Sequence, residues 1–362
     1  MKICIIGYYG SNFGDLLMLN ALISRFEGFS IDILTYGAKE ELEEQSFIQD
    51  RNITVIQASQ KNLAKIVRSF RSSAAIIWGG GTCFMDEGGT GGVKYMALAK
   101  LLGCQVYYFG IGVDRYRKFK TKLCMYLASK ISSRIYARDL DSQKAFHATN
   151  PKNKERIYIT HDLAHAYTST DDNLNTPLAS DYLLYCPRSL DSYPNIYHET
   201  NLELTALAHK IVKHLHLQKI VILNADPAID SGIVTECAKV FEASGIEVEI
   251  ISGSSTRESI KAINYCKFLL TVRLHPAVIA LERKTPFAIF NYSNKNKKLV
   301  SEHDCLDRLI ENRAILDYNP IYTPVTDDVK DRKQIEVNDA LKNLRAAILT
   351  YNRKHPAAPP PL

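Results

Sequence analysis

The sharpest chemical signal in this 362-residue sequence is an arginine and a histidine two residues apart, in Leu269-Leu-Thr-Val-Arg273-Leu274-His275-Pro276-Ala277. The apolar run reads as a buried strand that hands over to a helix, so both side chains fall on one turn. A guanidinium suits bidentate recognition of carboxylate or phosphate. An imidazole is the usual general acid or base, and a bound anion beside it favours its protonated form. A satisfied structural histidine is the competing reading. A second arginine, Arg188, follows the run 181–186 through Cys186-Pro187. At the carboxyl end of a strand it is placed for a ligand; a plain surface arginine is the alternative.

Two glycine-bearing turns accompany these residues. Gly79-Gly80-Gly81 follows the apolar run Ile76-Ile77-Trp78, with Asp86 further on. Three glycines cost backbone entropy, so their presence points to a close approach by a ligand, or to a tight strand-to-helix crossing. The first turn, Gly7-Tyr-Tyr-Gly10-Ser-Asn12-Phe-Gly14-Asp15, lacks the G-x-G-x-x-G spacing of a dinucleotide site. There Asp15 is either a carboxylate for chemistry or one that favours a helix start. Arg138-Asp139 follows the strand-like SRIYA, and the aspartate reads first as a helix cap. His161 and His165 have metal-pair spacing but no further ligands beside them, so no metal site is expected. Asp162 reads as a turn residue lining a cleft.

Apolar runs alternate with amphipathic stretches, the pattern of parallel sheets covered by helices on both faces. Strands are expected at 2–6, 31–35, 52–56, 74–78, 105–109, 134–137 and 157–159, with helices between them. After the polar stretch 167–180, read as a linker, strands resume at 181–186, 219–224, 247–251, 267–271 and 286–290. A last amphipathic helix is expected near 329–349. These elements predict an α/β chain of two Rossmann-like, doubly wound domains, 1–170 and 171–350, with a proline-rich tail over 351–362. Ligands of such sheets bind at the carboxyl ends of the strands, here in a cleft between the domains.

Composition narrows the function classes. A hydrophobic content of 46% with 23% charged residues and a formal charge of +6 is globular and mildly basic. There is no dense basic stripe for nucleic acid, and no run long enough to span a bilayer. Eight scattered cysteines without a C-x-x-C pair read as thiols of a reducing compartment. With a strand starting at Lys2, no signal peptide is expected. The location expected is cytoplasmic.

Together the turns resemble the polysaccharide pyruvyl transferase family, whose members carry N-x-G-D-E, G-G-G, R-D, D-P-A and R-L-H in this order. Here they read Asn12-Phe13-Gly14-Asp15, Gly79-Gly80-Gly81, Arg138-Asp139, Asp162-Leu163-Ala164 and Arg273-Leu274-His275. Thr285-Pro286, then Asn291-Tyr292 and Lys295, resemble the family's G-x-P strand and Y-x-x-K. The chain departs from the pattern at Leu16, where glutamate is usual, at Leu163, where proline is usual, and at Arg283-Lys284, where a glycine precedes the Thr-Pro step.

The resemblance implies a fold similar to the GT-B glycosyltransferases. It implies phosphoenolpyruvate as co-substrate with no cofactor or metal, and an acceptor sugar of a surface or lipid-linked glycan. The second domain becomes the phosphoenolpyruvate side and the first the acceptor side. A lipid-linked acceptor would bring the protein to the inner face of the membrane. His275 is then the acid and Asp15 or Asp86 the base. Arg188, Arg273, Leu274, the three glycines, Asp86, Asn12, Arg138, Asn291, Tyr292 and Lys295 bind substrate. Two other classes compete: a nucleotide-sugar glycosyltransferase of the same architecture, and a non-catalytic glycan-binding protein on that fold.

Overall fold

The computed structural model describes residues 1–51, 53–167, 181–191, 193, 196, 199–326 and 328–354. The expected linker beyond Tyr167 and the tail beyond Lys354 lie outside them. The chain divides into two compact units.

Among the described residues, the first unit comprises those of Met1–Gly10 and Asp15–Tyr167 and those from Lys333 to Lys354. Its strands are β1 (Lys2–Gly7), β2 (Ser30–Thr35), β3 (Thr54–Gln57), β4 (Ala75–Gly79), β5 (Thr82–Met85), β6 (Gly89–Thr90), β7 (Gln105–Val113), β8 (Arg134–Ala137) and β9 (Ile157–Ile159). They run in the order β3-β2-β1-β4-β7-β5-β6, with β8 and β9 extending from β7. All pairs are parallel except the short hairpin β5–β6.

Alternation of side chains splits the strands between two cores. Ile3, Ile5, Ile33, Ala75, Ile77 and Phe109 face one, with Leu16, Leu19 and Leu22 of the helix Phe13–Ser24. Cys4, Ile6, Leu34, Ile76, Trp78 and Tyr108 face the other, covered by helices that include Leu63–Ser72, Val93–Leu101 and Phe119–Ile131. The first core also takes Val337, Leu341, Leu344 and Ile348 of the last helix, Val329–Lys354. The domain boundary read from sequence is thereby corrected: that helix, expected in the second domain, buries its apolar stripe in the first unit from Lys333 on. Its spacing announced the stripe but not which sheet would receive it.

The described second unit comprises Ser11–Gly14 and the residues between 181 and Arg332. Its strands are β10 (Tyr182–Cys186), β11 (Lys219–Asn224), β12 (Glu247–Ser252), β13 (Phe268–Thr271), β14 (Phe287–Phe290) and β15 (Leu309–Ile310), in the order β12-β11-β10-β13-β14-β15 and all parallel. Leu183, Tyr185, Ile220, Ile222, Leu270 and Phe290 pack with Leu204, Ile211, Val234 and Phe241 of the helices Thr200–His214 and Pro227–Ala243.

In both sheets the winding reverses once, between β1 and β4 and between β10 and β13. Such reversals part the loops above the strand ends and open a place for a ligand. Four of the turns singled out by sequence follow these strands; Arg138-Asp139 and Asp162 follow β8 and β9 instead.

Candidate functional site

In the second unit, Arg188 and Arg273 follow the neighbouring strands β10 and β13, yet their surroundings differ. Arg273 is 9% exposed and paired with carboxylates. Its Nε donates to Asp230 Oδ2 at 2.8 Å, and its Nη2 donates to the same oxygen at 2.5 Å and to Asp226 Oδ2 at 3.2 Å. Asp230 is fully buried and also accepts from the Ser189 backbone N–H at 3.1 Å, tying the turn after β10 to the turn after β13. Burial raises the Asp230 pKa, with Arg273 pulling the other way. Burial likewise works against the Arg273 charge, but the two aspartates hold its pKa above the usual guanidinium value. One guanidinium against two carboxylates leaves no surplus positive charge for an anion, and only Nη1 stays uncommitted among the described residues.

Arg188 is half-buried and has no carboxylate partner among the described residues. Its guanidinium lies 4.6 Å from the ring centre of Tyr292 and 5.2 Å from that of Tyr193, and its Nη1 donates to the Tyr292 hydroxyl at 2.8 Å. Its buried Nε has no hydrogen-bond acceptor among the described residues. Tyrosine faces hold a cation without neutralising it, so this arginine keeps its charge for a ligand.

The helix Leu274–Arg283 begins directly at Arg273, with Leu274 and His275, both part-buried, in its first turn. Its N-terminus has no side-chain cap, and the leading N–H groups of a helix favour an anion. The His275 ring packs on the backbone of Gly14: a Cβ added there would lie 2.0 Å from Nδ1. This accounts for the glycine after Phe13 as a seat for the imidazole. Asn12 holds the same segment, its Nδ2 donating to Asp226 Oδ2 at 2.8 Å and its Oδ1 accepting from the Gly14 N–H at 2.9 Å. The Phe13 N–H donates to the Ala225 carbonyl at 2.8 Å.

Beyond β14, Asn291 donates to Glu311 at 2.9 Å and part-buried Lys295 lies in the first turn of the helix Asn294–Glu302. Asn291 is therefore bound to a carboxylate of its own chain, whereas Tyr292 braces Arg188. Buried Asn296 donates to the carbonyls of Val272 and Phe290 at 2.9 and 2.7 Å, fixing the ends of β13 and β14.

In the first unit the glycine turn is occupied mostly by its own unit. A Cβ on Gly79 would fall 2.5 Å from Leu22 and 2.6 Å from the Tyr9 hydroxyl, and one on Gly80 would fall 2.8 Å from Met18 Sδ. Gly80 and Gly81 both have φ of +78°, a region costly for other residues. Close packing and chain geometry thus account for Gly79 and Gly80, the tight-crossing alternative of the two sequence readings. Gly81 alone opens onto space, with Asp15 Oδ1 3.9 Å from its Cβ position. Leu16, next to Asp15, is fully buried in the core.

Two further residues singled out by sequence have partners within their own unit. Arg138 donates to Asp162 at 3.2 Å and to Thr82 Oγ1 at 2.8 Å, and Gly112 has no room for a Cβ beside its guanidinium. It fastens the segment after the glycine turn to Asp162. Asp139 accepts from the Ser142 N–H at 2.8 Å, the cap expected of it. Asp86 accepts from the Arg117 and Lys118 N–H groups and from Thr121 Oγ1 at 2.8, 3.1 and 2.8 Å, bracing the segment that leads into the helix Phe119–Ile131. Desolvation pushes its pKa up, but these hydrogen bonds outweigh it and hold the carboxyl below its usual value. A carboxylate so engaged is a poor base.

Sequence reasoning missed Asp226 and Asp230. Their signal was present: the literal Asp-Pro-Ala of this chain is Asp226-Pro227-Ala228, directly after β11, with a second acid one helical turn on. It also passed over the rings at the other reversal. Tyr8, 45% exposed, lies 5.0 Å from Tyr36 and 5.7 Å from Trp78 between ring centres, beyond the ends of β1, β2 and β4. Among the described residues no group of three or more His, Cys, Asp or Glu could hold a metal ion.

Comparison with solved structures places the architecture. The chain is similar to the UDP-GlcNAc 2-epimerase of Methanocaldococcus jannaschii, with a TM-score of 0.63, 14% identity and coverage of 96% of this chain and 100% of the other. A putative UDP-N-acetylglucosamine 2-epimerase of Listeria monocytogenes gives 0.61, 11%, 99% and 98%. The Neisseria meningitidis UDP-GlcNAc 2-epimerase, solved bound to UDP-GlcNAc, gives 0.59, 13%, 97% and 100%. At these identities the likeness is one of fold, a two-domain Rossmann-like arrangement of the GT-B kind. No curated protein matches the sequence. The model of the polysaccharide pyruvyl transferases matches residues 12–294, which hold the Asn12–Asp15 turn, the glycine turn, both arginines and His275, and the chain belongs to that family.

Proposed function

We propose that this protein transfers the pyruvyl group of phosphoenolpyruvate to two hydroxyls of a carbohydrate acceptor, forming a ketal and releasing phosphate. The observation that carries the reading is Arg188: a part-buried guanidinium held between two tyrosines, without a counter-charge among the described residues, just beyond the strand next to the one that leads into the helix start bearing His275. That arrangement suits a small donor carrying a carboxylate and a phosphate.

In this reading His275 delivers a proton to the methylene carbon while an acceptor hydroxyl attacks the adjacent carbon. The hydroxyl's proton passes to Asp15, the residue after the glycine that seats His275. The C–O bond to phosphate then breaks, the second hydroxyl closes the ring, and its proton leaves with the phosphate. The methyl proton is thus drawn from His275 and the first hydroxyl's proton is held on Asp15; release of the latter to solvent and uptake of one by His275 restore both groups, so that the net change is one proton in the methyl group and one in hydrogen phosphate. Asn12 and Arg273 act at one remove, by holding Asp226 and Asp230 and through them the two turns. On the acceptor side, the exposed face of Tyr8 beside Tyr36 suits stacking against a sugar ring.

Thermal unfolding with phosphoenolpyruvate and with a panel of nucleotides tests the donor class, because a ligand of the native state raises its melting temperature. Phosphoenolpyruvate should stabilise the protein. His275→Asn should keep that shift while losing roughly 10²–10⁴ in transfer rate. Stabilisation by uridine nucleotides alone would replace this reading with nucleotide-sugar chemistry.

A further inference from the structure

The helix Phe119–Ile131 carries two apolar stripes. Thr121, Met125, Ala128 and Ser129 form the one turned inward, each at most 4% exposed. Phe119, Leu123, Tyr126 and Leu127 repeat the same i, i+4, i+7, i+8 spacing two residues earlier, about 200° around a helix that turns ~100° per residue. They face solvent: Phe119 is 81% exposed, Leu123 42%, and Tyr126 and Leu127 39% each. A surface helix needs one apolar stripe to pack; the second has no role in this unit's core. Leu101, 85% exposed, ends the helix Val93–Leu101 that packs alongside.

Charge identifies what the stripe meets. Arg117, Lys118, Lys120, Lys122 and Lys130 surround it, all exposed, and residues 117–130 contain no acid. The carboxylate at the helix start, Asp86, is engaged by the Arg117 and Lys118 N–H groups and Thr121, and Arg115 just before is paired with Glu87 at 3.1 Å. Self-association across a two-fold axis would bring these like charges together with no acids to answer them. An anionic bilayer answers both features: the apolar side chains enter the headgroup boundary while lysine stems lie along it and keep their charges at the phosphates. We infer that the helix Phe119–Ile131 is a membrane-docking element, which seats the first unit on an anionic lipid surface. No helix among the described residues is long and apolar enough to cross a membrane, so the attachment is peripheral and reversible.

This inference does not depend on the pyruvyl-transfer reading, and its test uses neither donor nor acceptor. The full chain is sedimented with vesicles of phosphatidylcholine, with and without phosphatidylglycerol. It should bind the anionic vesicles far more strongly, and rising salt should weaken binding. Removing three charges, in Lys120→Gln, Lys122→Gln, Lys130→Gln, should lower partitioning by roughly a hundredfold, at about fivefold per basic residue. Phe119→Ser with Leu123→Ser, at unchanged charge, should lower it at least about tenfold. These side chains are exposed, so circular dichroism should show both variants folded. The inference is overturned if anionic vesicles are not bound, or if folded Phe119→Ser, Leu123→Ser binds them as well as the unaltered chain. It is equally overturned if sedimentation equilibrium shows a dimer that Phe119→Ser dissociates, since the stripe would then belong to a second copy.

Discussion

Arg188 and Arg273 stand at equivalent places, one beyond each of the two strands that flank the reversal of the second sheet, but their settings oppose each other. Arg273 sits among Asp226, Asp230 and the backbone that these hold. Arg188 sits between aromatic rings. A guanidinium answered by two carboxylates is part of the framework, because moving it would strand buried charges. One answered only by ring faces and a hydroxyl keeps its charge for something that arrives. Position on a fold therefore locates a residue, but its counter-charges decide what it does.

The largest effect should come from breaking the framework. Arg273→Ala leaves Asp230 buried without its cation, and removing one partner of a buried pair costs about 3–5 kcal/mol. Urea denaturation should show a loss of that order, with the midpoint moved at constant slope. Arg273→Ala with near-unaltered stability and weakened phosphoenolpyruvate binding would reverse the roles assigned to the two arginines.

What was legible in the sequence follows the same division. Fully buried parallel strands write themselves as unbroken apolar runs, so β1, β4, β10, β11, β13 and β14 were readable almost to the residue. β5, β6 and β15 were not, being two to four residues long and set by hairpin and edge geometry. The helix Asn294–Glu302 was hidden by a polar, lysine-rich sequence. The site motifs marked the right turns because the reversals of each sheet lie at those strand ends. They could not separate Arg188 from Arg273, since Asp226 and Asp230 lie more than forty residues from Arg273 and meet it only through strand order. The missing glycine before Thr285 shows the reverse case. Lys284 takes the left-handed conformation itself, with φ of +56° closing the helix Leu274–Arg283, so the backbone is retained where the residue type is not.

Arg188→Ala should do the opposite of Arg273→Ala. The side chain is part-exposed and supports no buried carboxylate, so urea stability should stay within about 0.5 kcal/mol. A charge-assisted hydrogen bond to a ligand is worth roughly 1.5–3 kcal/mol, so phosphoenolpyruvate affinity, read by titration calorimetry, should fall about ten- to a hundredfold. Unchanged affinity would remove Arg188 from the donor site and leave its missing counter-charge without a ligand to explain it.

The finest division is within the bracket that holds Arg188. Tyr292 contributes its ring face, 4.6 Å from the guanidinium, and its hydroxyl, which accepts from Nη1 at 2.8 Å. Tyr292→Phe keeps the first and removes the second. Cation–π attraction of about 0.5–2 kcal/mol survives the change, while a hydrogen bond of net ~0.5–1.5 kcal/mol is lost. That bond only aims the arginine, so phosphoenolpyruvate affinity should fall no more than about two- to tenfold, less than for Arg188→Ala. Tyr292→Ala, which takes away ring and hydroxyl together, should cost more than Tyr292→Phe. If Tyr292→Phe instead matches Arg188→Ala, the hydroxyl touches the donor directly, and the anion site consists of the pair Arg188 and Tyr292 rather than the arginine alone.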